Sequence, residues 1–140
     1  MTDNATYLLV HSGGRPFGLG VEDVLEVRDP GEIAPVPALA PAMRGVESLP
    51  TGIVPVLHLG ALLDGRPCPD ARGATLVVAR LGERYVGLEV DAADVVRSEP
   101  LLDPGADSLP WVRAIASGAD GYVPLLDLSA LAARLTEPLP

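Results

Sequence analysis

Gly52-Ile53-Val54-Pro55-Val56-Leu57-His58-Leu59-Gly60-Ala61-Leu62-Leu63 returns 69 residues later as Gly121-Tyr122-Val123-Pro124-Leu125-Leu126-Asp127-Leu128-Ser129-Ala130-Leu131-Ala132. Seven of the twelve positions are identical, where roughly one match is expected by chance from average residue usage. A second pair shares that offset. Thr6-Tyr7-Leu8-Leu9-Val10, with Gly13, Arg15, Gly18, Leu19 and Val21, matches Thr75-Leu76-Val77-Val78-Ala79, with Gly82, Arg84, Gly87, Leu88 and Val90. The chain is a tandem duplication, and its fold must be read as two copies of one unit.

Within each copy the signals are those of short strands. Apolar Thr6–His11 meets a turn at Ser12-Gly13-Gly14 and resumes at Phe17-Gly18-Leu19-Gly20-Val21, where every second residue is apolar. Thr75–Arg80, Leu81-Gly82-Glu83-Arg84 and Tyr85–Val90 repeat that hairpin. Gly18 and Gly87 predict bent or bulged strands. Asp23-Val24 is aligned with Asp94-Val95 at an offset of 71, implying an insertion in the second copy. Pro55 and Pro124 predict an edge, a strand start or a bulge, because proline offers no ladder donor. Ser129–Leu135 reads as a terminal helix capped by Ser129, and Asp64–Asp70 as the linker joining the halves. These patterns predict an all-β chain of two pseudo-symmetric small barrels with short helices, one of them C-terminal. The whole of 1–140 forms one domain, with lobes at about 15–65 and 70–125 that exchange the first strand and the last helix.

Composition narrows the function. Net charge is −9, which opposes binding to a phosphate backbone. Five aromatics (Tyr7, Phe17, Tyr85, Trp111, Tyr122) are too few for a base-stacking platform. All ten basic residues are arginine, a side chain suited to planar contacts with carboxylates on a protein. No apolar run reaches the ~20 residues of a membrane span, and Met1-Thr2-Asp3-Asn4 lacks a basic leader, so a cytoplasmic address is expected.

Catalytic and metal motifs are missing. His11 and His58 are the only histidines, with no His-x-x-x-His spacing and no Gly-x-Ser-x-Gly. His58 aligns with Asp127 and reads as a polar strand-end residue. Cys68, the single cysteine, lies between two prolines and reads as an exposed linker thiol. The expectation is a binding module without metal or cofactor, not an enzyme. The competing reading is a small ligand-binding barrel or enzyme using His58 and nearby carboxylates.

Phe17-Gly18-Leu19 through Val24-Leu25-Glu26-Val27-Arg28, then Met43-Arg44-Gly45-Val46, then Ile53–Leu59, resemble the CheW-type chemotaxis coupling proteins in order and spacing. The resemblance runs on through Leu76–Val96 and Tyr122–Leu135. It implies a non-catalytic adaptor of two five-stranded SH3-like barrels bridging chemoreceptor tips to the regulatory domain of a CheA-type histidine kinase. It places Val24 and Glu26 on a receptor-facing groove, and Arg44, Gly45 and Val46 near the receptor and kinase surfaces. Two departures stand out. Ser48-Leu49-Pro50-Thr51 replaces the family's Asn-Leu-Arg-Gly, and His58 replaces its Asp. A kinase-only regulatory module is the variant reading these departures allow. An exposed edge strand also permits weak self-association.

Overall fold

Ten strands and two short helices follow one another in a computed structural model that describes residues 4–37, 40–106, 109–118 and 121–135. The first copy contributes β1 (Asn4–Ser12), β2 (Arg15–Gly20), a 3-10 turn (Val21–Asp23), β3 (Val24–Arg28), β4 (Met43–Leu49), β5 (Gly52–His58) and α1 (Leu59–Asp64). The second contributes β6 (Thr75–Leu81), β7 (Arg84–Val90), β8 (Ala92–Leu102), β9 (Val112–Gly118), β10 (Gly121–Leu126) and α2 (Leu128–Leu135).

The sheets do not follow the halves. One closed barrel runs β1-β2-β10-β9-β8, and the other sheet runs β3-β6-β7-β5-β4. Each copy donates its first hairpin to the other copy's three remaining strands. The expected lobes at about 15–65 and 70–125 are therefore corrected: the exchanged element is a whole hairpin. The reason is that β1 and β6 carry equivalent apolar faces, so pairing chemistry alone does not tell near from far partners.

The two sheets have the same strand order and register. Val56 pairs with Gly87 in the parallel β5–β7 ladder, and Leu125 pairs with Gly18 in β10–β2. Val24 lies opposite Ala79, and Ala93 opposite Val10. The offset thus stays at 69 through β3 and β8, and the insertion read at Asp94-Val95 is absent. Closure differs between the sheets. Leu101 and Leu102 of β8 pair with Ala116 and Ile115 of β9. At the corresponding seam β3 stops at Arg28 and only Ala34 bridges Val46, because Asp29-Pro30-Gly31 interrupts the strand.

Three apolar cores result. Tyr7, Leu9, Ala114, Ala116, Val123 and Leu125 fill the barrel, while Leu49, Val54, Val56, Leu76 and Val78 fill the second sheet's concave side. A larger core between the sheets takes the opposite strand faces, including Leu8, Val10, Val77 and Ala79, together with Leu62 and Leu131 of the helices. Burial on both faces explains why Thr75–Ala79 reads as a continuous apolar run and not an alternation. Burying each valine or leucine among them contributes roughly 1.5–3 kcal/mol.

Gly18 and Gly87 sit at no bulge. A Cβ on Gly18 would lie 2.2 Å from Leu125 Cδ2 and 2.8 Å from Tyr7 Cδ2, and one on Gly87 would lie 2.9 Å from Leu76 Cδ1. Glycine is required for close approach, not for bending. Pro55 lies on an inner strand. Val46 spends both backbone groups on Ala34, and parallel pairing with β7 starts at Val56, so the missing proline N–H breaks no ladder bond.

Candidate functional site

The bulges lie elsewhere, at two pseudo-equivalent pairs of positions. The register slips between Met43 and Gly45, and again where Leu126 faces Val112 and Leu125 faces Ala114. Arg44 and Arg113 are the extra residues. A bulge re-aims its side chain, and here it aims two arginines in different ways.

Arg44 turns inward. Its Nε and Nη2 donate to Glu89 Oε1 at 3.1 and 2.8 Å, and Nη2 reaches the Ala71 carbonyl at 3.2 Å. Glu89 is wholly buried, and it also accepts from Arg72 Nε at 2.6 Å and from the Gly73 N–H at 3.0 Å. Burial alone would raise the Glu89 pKa. The Gly73 N–H and the Arg72 and Arg44 guanidiniums outweigh burial and hold the carboxyl below its ordinary range. Arg72 further donates to the Gly31 carbonyl at 3.3 Å. The Arg44 side chain, expected at a partner surface, is 13% exposed and ties Ala71, just past the linker, to the second sheet, while Arg72 holds Gly31.

Gly45 (φ 152°) is equally internal. A Cβ there would meet Ile33 Cγ2 at 2.5 Å and the Ala34 carbonyl oxygen at 2.6 Å. Val46 is half-buried and forms the bridge to Ala34. Arg44, Gly45 and Val46 thus organise the seam of the second sheet. Val24, half-buried, packs against the shared core. Glu26 faces solvent and pairs with Arg28 at 3.1 Å, a surface pair of about 0–1 kcal/mol.

The exposed part of the predicted site is larger than the sequence indicates. Leu25 is 46% and Val27 42% exposed beside Glu26. Leu25 is the residue left out of the β3–β6 ladder, where the register shifts between Val24 and Glu26. That slip breaks the period-two pattern that would have marked Leu25 as outward-facing. A second apolar surface is formed by Ile53 (72% exposed) and Tyr85, which border a groove of about 340 Å³. Tyr122, at the place equivalent to Ile53, is 68% exposed. Large apolar side chains opening the same strand in both copies were the available signal.

His58 and Asp127 share one job. His58 Nδ1 accepts the Ala61 N–H at 3.0 Å and Asp127 Oδ1 accepts the Ala130 N–H at 3.1 Å, each capping the helix that follows. Asp127 thus replaces Ser129 as the cap of α2. The Ala61 N–H leaves the ring proton of His58 on Nε2, and burial lowers its pKa. Cys68 is half-buried, its Sγ donating to the Ala42 carbonyl at 2.8 Å. Burial raises its pKa, so it holds the linker as a thiol and not as a thiolate nucleophile. Among the described residues no three His, Cys, Asp or Glu side chains gather as a metal's ligands would, and no helix is long and apolar enough to cross a membrane.

A search of curated proteins finds no match. The crystal structure of the scaffolding protein TtCheW from Thermoanaerobacter tengcongensis superposes with a TM-score of 0.77 at 21% identity, covering 94% of this chain and 92% of that one. The CheW-like domain model matches residues 6–136, the span over which the duplicated unit and its exchanged hairpins are built. The chain therefore belongs to the CheW-like domain family.

Proposed function

We propose that this chain is a non-catalytic cytoplasmic adaptor that couples chemoreceptors to a CheA-type histidine kinase. The observation that carries the reading is the CheW-like match over residues 6–136. The receptor-facing surface is β3, where Glu26 stands between exposed Leu25 and Val27, with Val24 beneath them. Arg44, Gly45 and Val46 act there by fixing the neighbouring seam. Pro50 and Thr51 occupy the exposed β4–β5 turn, so receptor affinity falls on β3 rather than on an arginine at that turn. The kinase's regulatory domain meets the apolar hairpin end at Ile53 and Tyr85, whose burial supplies the affinity.

Titration of the chain with the kinase regulatory domain and with a receptor tip fragment tests this. Both should bind, and Glu26→Arg should abolish receptor binding while the kinase complex persists. Absence of kinase binding at high micromolar concentration removes the proposal. Pro50 favours one second reading, a kinase-only module, for which the wild-type chain binds the kinase and never the receptor.

A further inference from the structure

The pseudo-twofold gives each cleft between the two sheets a twin. Around one, of about 350 Å³, stand Glu22, Asp23, Arg80, Gly82, Arg113 and Asp127. At the offset of 69, Glu22, Arg80, Gly82, Arg113 and Asp127 correspond to Asp91, His11, Gly13, Arg44 and His58. In the twin the donors are met from within: the Gly13 N–H donates to Asp91 Oδ2 at 2.9 Å, and Arg44 is held by Glu89. The open cleft lacks both acceptors. Gly20 stands where Glu89 would be, and Glu22 folds back so that a Cβ on Gly20 would meet its Oε1 at 2.5 Å.

From there Glu22 reaches Arg113 only at 3.8 Å, with its side chain 65% exposed, too far for a hydrogen bond. Among the described residues no acceptor meets the Gly82 N–H, and Arg80 has no ion-pair partner within 4.0 Å. Asp127 is committed to capping α2. Asp23 lies in the field of both arginines, which oppose the rise that burial, then Glu22, imposes on its pKa. In the twin the Gly13 N–H and Arg44 take separate carboxylates, Asp91 and Glu89, so a carboxylate is the group that the Gly82 N–H and Arg113 are each suited to hold.

We propose that this cleft docks an acidic side chain of a protein partner, with Arg113, Arg80 and the Gly82 N–H as donors and Glu22 as a displaceable stand-in. Its chemistry does not depend on which protein brings the carboxylate.

The test is an amide and arginine Nε–H NMR titration of the full chain. The probes are acetyl-Gly-Glu-Glu-Gly-amide, its Gln counterpart, and succinate as a free dicarboxylate. The Gly82 and Arg113 signals should move saturably with the Glu peptide and not with the Gln peptide, while Gly13 stays still. Combining R80Q with R113Q should weaken binding at least about tenfold, the loss of one charge-assisted contact. R84Q, on the same hairpin but outside the cleft, should leave it unchanged. E22Q should tighten binding more than E83Q, which removes an equal charge nearby. Equal shifts with the Gln peptide, equal effects of R84Q, or no difference between E22Q and E83Q overturn the proposal. Saturation by succinate at lower concentration than the peptide overturns the assignment to a protein partner.

Discussion

Replacing Glu89 with glutamine removes one charge and preserves shape. In the native chain Oε1 accepts three donors, Arg44 Nε, Arg44 Nη2 and the Gly73 N–H, while Oε2 accepts Arg72 Nε. A glutamine that keeps its oxygen at the crowded position turns its NH2 against Arg72, donor facing donor. A hydrogen bond to a charged group is worth about 1.5–3 kcal/mol, and Arg72 belongs at the low end because its side chain is 34% exposed and screened. Arg44, only 13% exposed, keeps its bonds but loses its counter-charge, which adds about 1–2 kcal/mol. The expected cost is therefore about 2–4 kcal/mol, a large share of the roughly 5–15 kcal/mol of a typical domain.

Urea unfolding at pH 7 measures it, as a midpoint lowered by about 1–2 M with unchanged slope. The pH dependence supplies a second reading. Glu89 has a folded pKa below its ordinary 4.5, so its stabilisation is present above 4.5 and is lost as pH falls through the lowered value. The gap between wild type and E89Q should close in that acid range. A cost below about 1 kcal/mol at pH 7, outside the spread expected for a buried pair, refutes the reasoning. So does a gap that persists unchanged into strong acid.

The lowered pKa of His58 means the unfolded chain binds the proton more readily, so stability should fall as pH drops through 6.5 toward the folded value. His58→Asp, copying the second copy's cap, should flatten that window in urea melts, whereas His58→Ala should cost about 1 kcal/mol at pH 7.5. Gly18→Ala should destabilise by about 1–3 kcal/mol through overpacking. Gly87→Ala should cost less, because its nearest neighbour is a single leucine tip at 2.9 Å; thermal melts compare the two. Ile53→Glu should weaken the kinase complex while leaving receptor binding intact, as read by titration with each partner.

The duplication made the strands and their order legible, since matched residues at one offset must build matched elements. Which hairpin pairs with which triplet was not legible, because β1 and β6 present the same continuous apolar run to either partner. The family-like series named Val24 and Glu26, but the exposure of Leu25 and Val27 beside them lay hidden behind a bulge that local periodicity does not encode. Arg44 looked like a surface residue because its partner, Glu89, comes from another strand 45 residues on. Only the folded arrangement shows that the equivalent arginine, Arg113, lacks such a partner.

The exchanged hairpins also set the order in which the chain can mature on the ribosome. β1 and β2 are finished at Gly20, yet β8, which borders β1, begins at Ala92. At roughly 5–20 residues per second the first hairpin waits about 4–14 s with its apolar faces unmatched. β3 to β5 wait likewise for β6 and β7. Neither sheet is completed by a nascent first half, so a truncated product leaves unpaired strand edges exposed. The β3-β6-β7-β5-β4 sheet can close once Val90 is made, and the barrel only after β10 ends at Leu126.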